Sequence, residues 1–135
     1  QMKCDLEHKK NLQKAEQMIR KAAAEGANII LLPELFEREY FCQQRRYDFY
    51  HLAKPVKEND AVQMGMRLAK ELNVVLPISF YEQDINTLYN SIACIDDRTP
   101  GSTDFFNNSP GRIMCHRFRK NFPVFSISLY ILRNL

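Results

Sequence analysis

The sequence predicts an α/β fold, and three observations predict it. A stretch with one apolar helical face, Lys9 to Glu25, is followed by Gly26 and at once by a short apolar run, Asn28 to Leu32. A second helical stretch, Asp60 to about Asn73, leads in the same way into a second apolar run, Val74 to Tyr81. A third run, Leu88 to Asp96, places Leu88, Asn90, Ile92 and Cys94 against Tyr89, Ser91, Ala93 and Ile95 in strict alternation, and it lies near enough to its predecessor to form an antiparallel hairpin. Helix followed by strand, twice over, is the texture of an α/β unit.

The first helix rests on Leu12, Ala15, Ile19, Ala22 and Ala23, which recur at the three-and-four spacing of a buried face, while Lys10, Lys14, Gln17, Lys21 and Glu25 fall largely off it. Gly26 is the natural stop. The segment before it, Gln1 to His8, shows little pattern. The run Asn28–Leu32 is short and bounded by a breaker, which suits a buried strand better than a helix. Pro33 has no N–H to give a ladder, so the strand ends there. Glu34 therefore falls just past the C-terminal end of a strand, between Pro33 and the apolar pair Leu35–Phe36. A charge among apolar neighbours is costly unless paired, and a carboxylate so placed keeps its proton more readily and is a candidate base near neutral pH. A turn cap or a partner for a basic residue is the alternative that spacing alone leaves open.

Glu37 to Tyr50 is polar and aromatic and reads as a loop with a short helix near Tyr47–Leu52. Arg45 and Arg46 beside Tyr40, Phe41, Tyr47, Phe49 and Tyr50 have the flavour of base stacking, but no wider basic field supports a phosphate track, and packing is the better reading. Ala53 to Asn59 is a connection around Pro55. Asp60 is the expected N-cap of the second helix. Ala61, Gly65, Leu68, Ala69 and Leu72 form its apolar side, Met64 and Met66 are packing residues, and Asn73 is its C-terminal cap. Pro77, inside the second strand, requires an edge, a bulge or an irregular pairing. Glu82 to Asn86 reads as a polar turn.

At 135 residues the chain is long enough for one domain with a real core. Its net charge of +3 is too small to argue for nucleic acid. The charge is uneven: the basic excess lies after Asp96, in Arg98, Arg112, Arg117, Arg119, Lys120 and Arg133 against Asp97 and Asp104. Salt-sensitive nucleic-acid binding through Arg112, Arg117, Arg119 and Lys120 is a weak reading, and neither nucleic acid nor membrane is an expected partner. Cys4, Cys42, Cys94 and Cys115 are scattered, with no zinc spacing. No secretory signal is visible, so reduced thiols in the cytoplasm are expected. The apolar stretch Phe122 to Leu132 is too short to span a bilayer.

Residues 97–135 contain no Ala, Glu or Gln, and Asn107-Asn108-Ser109-Pro110-Gly111 is a cluster of breakers. No element is predicted there. The chain divides into a patterned part, 1–96, and an aberrant tail, 97–135, of the kind that translation in a shifted frame or through an intron would give.

Several stretches of the patterned part, in order, carry a resemblance: Asn11-Leu12-Gln13-Lys14-Ala15-Glu16, Gly26 through Pro33-Glu34-Leu35-Phe36, Tyr40-Phe41-Cys42-Gln43, Ala69 through Phe80, and Tyr89-Asn90-Ser91-Ile92-Ala93. Together they resemble the nitrilase superfamily of carbon–nitrogen hydrolases over about the first 96 residues. The resemblance implies part of an α-β-β-α sandwich and a Glu–Lys–Cys triad. In such a site the Glu is general base, the Lys stabilises the oxyanion, and the Cys thiolate attacks the carbonyl carbon to give a thioester that water hydrolyses. Glu34 matches the family's Glu. The implied substrate is a small carbamoyl amine or amide, with ammonia and carbon dioxide released from the former. No metal or organic cofactor is implied, and homo-oligomers are usual in the family.

The family's Lys lies in a Tyr-Arg-Lys-x-His-Ile-Pro stretch. The nearest counterpart is Phe118-Arg119-Lys120-Asn121-Phe122-Pro123, which lacks the His and lies in the tail, so Lys120 is a weak candidate. The nucleophile's Cys-Trp turn has no counterpart, and the chain has no Trp. All four cysteines are expected to be structural or incidental. The chain is therefore expected to be a truncated homologue, inactive by itself. The alternative is a non-catalytic interaction protein that associates through the surface of an exposed half-domain.

Overall fold

The computed structural model describes residues 2–41 and 47–96 in full, and the backbone of 112–119 and 131–132. The first helix, α1, spans His8–Ala24 and buries Asn11, Ala15, Ile19 and Ala22. Leu12 and Ala23 pack at the border of that face. Gly26 ends the helix as expected: its φ is +88°, the Gly26 N–H donates to Ala23 O at 2.9 Å and the Ala27 N–H to Ala22 O at 3.0 Å, the paired bonds of a Schellman cap. The second helix, α2, spans Asp60–Leu72. Its N-cap is Asn59 and not Asp60: the Asn59 side-chain oxygen accepts the Val62 N–H at 3.0 Å. Asp60 is instead the first helical residue, where its charge complements the helix dipole. Asn73, at φ 55°, closes the helix. Gly65 is needed at the helix–sheet contact, because a Cβ there would stand 2.8 Å from both Ile78 Cγ1 and Ile95 Cδ1.

Five strands form one sheet in the order β4-β3-β2-β1-β5. They are β1 (Ile29–Ile30), β2 (Val75–Asp84), β3 (Thr87–Asp96), β4 (Arg112–Arg119) and β5 (Ile131–Leu132). The predicted hairpin is present: β2 and β3 pair antiparallel from Val75↔Asp96 to Asp84↔Thr87. Its turn is only Ile85–Asn86, not the Glu82–Asn86 stretch that polarity suggested. Glu82 lies within β2 and is 1% exposed, its carboxylate accepting the Ser91 hydroxyl at 2.6 Å. The backbone of β4, where the sequence predicts no element, pairs with Tyr89–Asp96 of β3. The strand β1 is shorter than the predicted Asn28–Leu32, and Pro77 supplies the reason. Val75 N–H donates to Asn28 O at 2.8 Å, and it pairs parallel with Ile29. The next β2 residue turned toward β1 is Pro77, which has no N–H to continue the ladder.

Both helices lie on one face of the sheet. Leu76, Ile78, Phe80, Ala93 and Ile95 point into a shared core with Ile19, Leu68 and Ala69. The opposite face carries Pro77, Ser79 and Tyr81 of β2 beside Asn90, Ile92 and Cys94 of β3, placed there by strand alternation and the pairs Pro77↔Cys94, Ser79↔Ile92 and Tyr81↔Asn90. Met64 is buried and Met66 partly so, as packing residues. Among the described residues no helix is long and apolar enough to cross a membrane.

Candidate active site

After β1 the chain runs through Leu31, Leu32 and Pro33 into a tight turn, Glu34 to Glu37. Leu35 takes a left-handed conformation, φ 49°. That conformation is costly for a residue with a Cβ, and here it sends successive side chains in different directions. Leu35 is buried in a small cluster with Ala53 and Tyr81. Phe36, fully buried, enters the main core under the helices. Glu34 is left half-buried between them. The turn is tied to the sheet through Leu35 N–H, which donates to Ser79 Oγ at 3.3 Å.

Glu34 reaches over the face of the sheet opposite α1 and α2. Its Oε1 accepts a short hydrogen bond from the Asn90 side-chain amide, and its Oε2 accepts the Tyr40 hydroxyl at 3.3 Å. The surroundings are thus not the apolar ones that Pro33, Leu35 and Phe36 suggest in sequence. Those neighbours turn away, and two donors hold the carboxylate in a defined orientation. A carboxylate fixed in this manner, with lone pairs left on each oxygen, is equipped to take a proton from a group presented to it.

Beneath the turn lies a polar bridge. Glu37 is 7% exposed. Its Oε2 lies 3.0 Å from His8 Nε2 and its Oε1 accepts the Asn59 side-chain amide at 3.0 Å. The Asn11 amide donates to the Glu37 carbonyl at 3.2 Å and to Asp5 O at 2.7 Å, while Asn11 Oδ1 accepts Asp5 N–H at 2.6 Å. A recess beside the turn is walled by Leu35, Glu37, Arg38, Phe41, Leu52 and Tyr81. Tyr47–Leu52 forms the expected short helix, of 3-10 type. Phe41 packs against Phe49 and Tyr81 with ring centroids 5.2 and 5.3 Å apart, the packing role expected of these aromatics. Tyr47, however, is 80% exposed.

Of the predicted triad, Glu34 is placed. Lys120 and Cys42 lie outside the described residues, and of Cys115 only the backbone in β4 is described. Cys4 Sγ donates to Phe36 O at 3.4 Å, and burial pushes its thiol up despite the opposing charge of Lys14. Cys94 is paired opposite Pro77 in the hairpin, and burial, with Asp96 adding to it, pushes its thiol up as well. Neither has the electropositive setting of a nucleophile. Among the described residues no group of three His, Cys, Asp or Glu side chains is placed to hold a metal.

Comparison with known proteins gives the family of the chain. The family model of carbon-nitrogen hydrolases matches residues 1–103. The N-carbamoylputrescine amidases of Oryza sativa subsp. japonica and Arabidopsis thaliana are each 49% identical over 96 residues, 71% of this chain and 32% of theirs. A citrullinase of Francisella tularensis subsp. tularensis is 48% identical over 86 residues, 64% of this chain and 30% of its own. The chain thus spans about a third of the length of these relatives. The crystal structure of a carbon-nitrogen hydrolase from Helicobacter pylori G27 superposes with a TM-score of 0.68 at 24% identity, over 87% of this chain and 37% of that one, and so shares its fold. With a family match over most of its residues and the family's fold in its sheet and helices, the chain belongs to the carbon–nitrogen hydrolases.

Proposed function

We propose that Glu34 is the general base of a carbon–nitrogen hydrolase acting on a small carbamoylated amine, and that N-carbamoylputrescine is the substrate of the whole enzyme, yielding putrescine, ammonia and carbon dioxide. One observation carries the reading. The carboxylate predicted from the Pro-Glu-Leu-Phe stretch stands just past β1 with both oxygens oriented, by Asn90 and Tyr40, over the sheet face opposite α1 and α2. The relatives support the substrate class, since N-carbamoylputrescine and citrulline, the substrates their names print, both end in a carbamoylated primary amine.

In the proposed reaction Glu34 takes the proton of a cysteine thiol as the thiolate attacks the ureido carbon, and returns it to the departing nitrogen. It then takes a proton from the water that cleaves the carbamoyl thioester and passes it to the departing sulfur, and the carbamic acid released breaks down to putrescine and carbon dioxide. Cys4 and Cys94 are partly buried, and burial raises both thiols, so neither is activated as a nucleophile. None of the four cysteines lies in a Cys-Trp turn, so the 135-residue chain is expected to supply the base and not the nucleophile, and to release no ammonia by itself.

The test is ammonia release from N-carbamoylputrescine and from citrulline, measured for the chain and for a form extended to the relatives' length. The extended form should turn over, with the Glu34→Gln variant reduced by about a thousandfold or more, as expected on removing one member of a cooperating set. Full turnover by that variant would reject Glu34 as base. Hydrolysis of citrulline alone would move the substrate to the other relative's.

A further inference from the structure

We propose that Glu37 is a positioning residue for Glu34: its buried carboxylate, gripped between the start of α1 and the cap of α2, sets the turn that delivers Glu34 to Asn90 and Tyr40. The proposal rests on the reading of Glu34 as the base, and it concerns how that base is aimed.

The Glu37 carboxylate is turned to the helix ends. Its two oxygens meet His8, the first residue of α1, and Asn59, the cap of α2, each at 3.0 Å. Its carbonyl meets Asn11 at 3.2 Å. Only Leu35 and Phe36 separate it from Glu34, and the N–H of Arg38, the next residue, donates to Leu35 O at 3.2 Å, closing the turn on itself. Leu35 at φ 49° is not a conformation that leucine keeps unless its surroundings over-determine it. The surroundings do so from two sides. Ser79 holds the Leu35 N–H from the sheet, and the Glu37 bridge holds the other end from the helices.

A buried carboxylate is not a good stabiliser, because the desolvation of the charge offsets most of what its partners return. What it supplies is geometry. The Asn59 amide has a single orientation open to it, since its oxygen is already engaged by the Val62 N–H. The Asn11 amide spans Asp5 O and Glu37 O and is fully committed. The donors that meet Glu37 are thus pre-oriented by helix ends, and the carboxylate can satisfy them in only one place. That place fixes the rotation of the turn, and with it the direction in which Glu34 leaves the backbone.

The experiment reads the hydrogen bond between Asn90 and Glu34, not turnover. In the labelled full chain, the side-chain amide pair of Asn90 is assigned by its loss in Asn90→Asp and followed by heteronuclear NMR. Glu37→Ala should move this pair to the position of a free amide, while the backbone signals of Ile78, Phe80 and Ala93 stay in place. Glu37→Gln keeps an oxygen for the Asn59 amide and should restore the pair. A merely structural role would lower the melting temperature and leave the pair where it was, and that outcome overturns the proposal. Should Glu37→Ala lose the dispersed spectrum of a folded chain, His8→Ala and Asn59→Ser each remove one donor, the latter retaining a capping oxygen. Each should shift the pair part of the way, and an unshifted pair in both overturns the proposal equally. A chain that releases no ammonia leaves this result standing. An unshifted Asn90 pair removes the positioning role even if turnover depends on Glu34.

Discussion

Cys4 and Cys94 illustrate how environment decides what a side chain can do. A thiol reacts as its thiolate, and burial of both cysteines disfavours that form. In the native chain at neutral pH both should alkylate with iodoacetamide more slowly than in the urea-unfolded chain, as peptide mapping by mass spectrometry would show. Rapid native labelling of either would contradict the assignment. Glu34 was legible in sequence because its signal is local: an apolar run, a proline, an acid and two large apolar residues in succession. Its partner Asn90 lies 56 residues away, and only the hairpin brings the two together. Ser79 was equally silent, being one small polar residue in a strand until Leu35 is seen to need an acceptor. Asn11 did leave a trace. It falls on the same helical face as Ala15, Ile19 and Ala22, and a polar side chain on a buried face requires buried partners.

At the scale of elements, the hairpin that carries Asn90 turns through a strained corner. Ile85 is 84% exposed with φ 52°, a region in which a β-branched residue is an outlier. Nothing packs the side chain strongly enough to require it there. Ile85→Gly should therefore stabilise the chain by about 1 kcal/mol, the relief of a conformation that costs roughly 1–3 kcal/mol less the added freedom of the unfolded glycine. Urea denaturation would measure it, and a loss of stability would show that the exposed isoleucine makes a contact of its own. The periodicity of α1 and α2 is readable because their apolar faces repeat at helical spacing over more than three turns. The ends of β1 and β2 are not. Where β1 stops depends on Pro77, a residue of another strand, and Glu82 looks like turn chemistry until Ser91 is found opposite to receive it.

At the scale of the whole molecule, the two helices act as one layer, and the turn bearing Glu34 is anchored where both of them begin. Farther along the two helices the layer is joined by charge. Arg67 of α2 donates to Glu16 of α1 at 2.7 and 3.1 Å, and Arg20 bridges from Glu16, at 2.8 Å, to Glu71 at 2.6 Å. The bonds from Arg67, then those from Arg20, hold the Glu16 carboxyl down at about 2, well below its ordinary 4.5. A carboxyl whose value is depressed by folding favours the folded state fully above the ordinary value, and that contribution drains away as pH falls from about 4.5 through about 2. The network is partly exposed, so solvent limits its worth to on the order of 1 kcal/mol. Unfolding free energies of the chain and of Glu16→Gln should accordingly differ at pH 7, converge as the pH is lowered through that window, and differ less in 1 M salt, where screening weakens the pairs, than in dilute buffer. A gap that persists unchanged at pH 2 would show that Glu16 holds the helix layer together by packing and not by its charge.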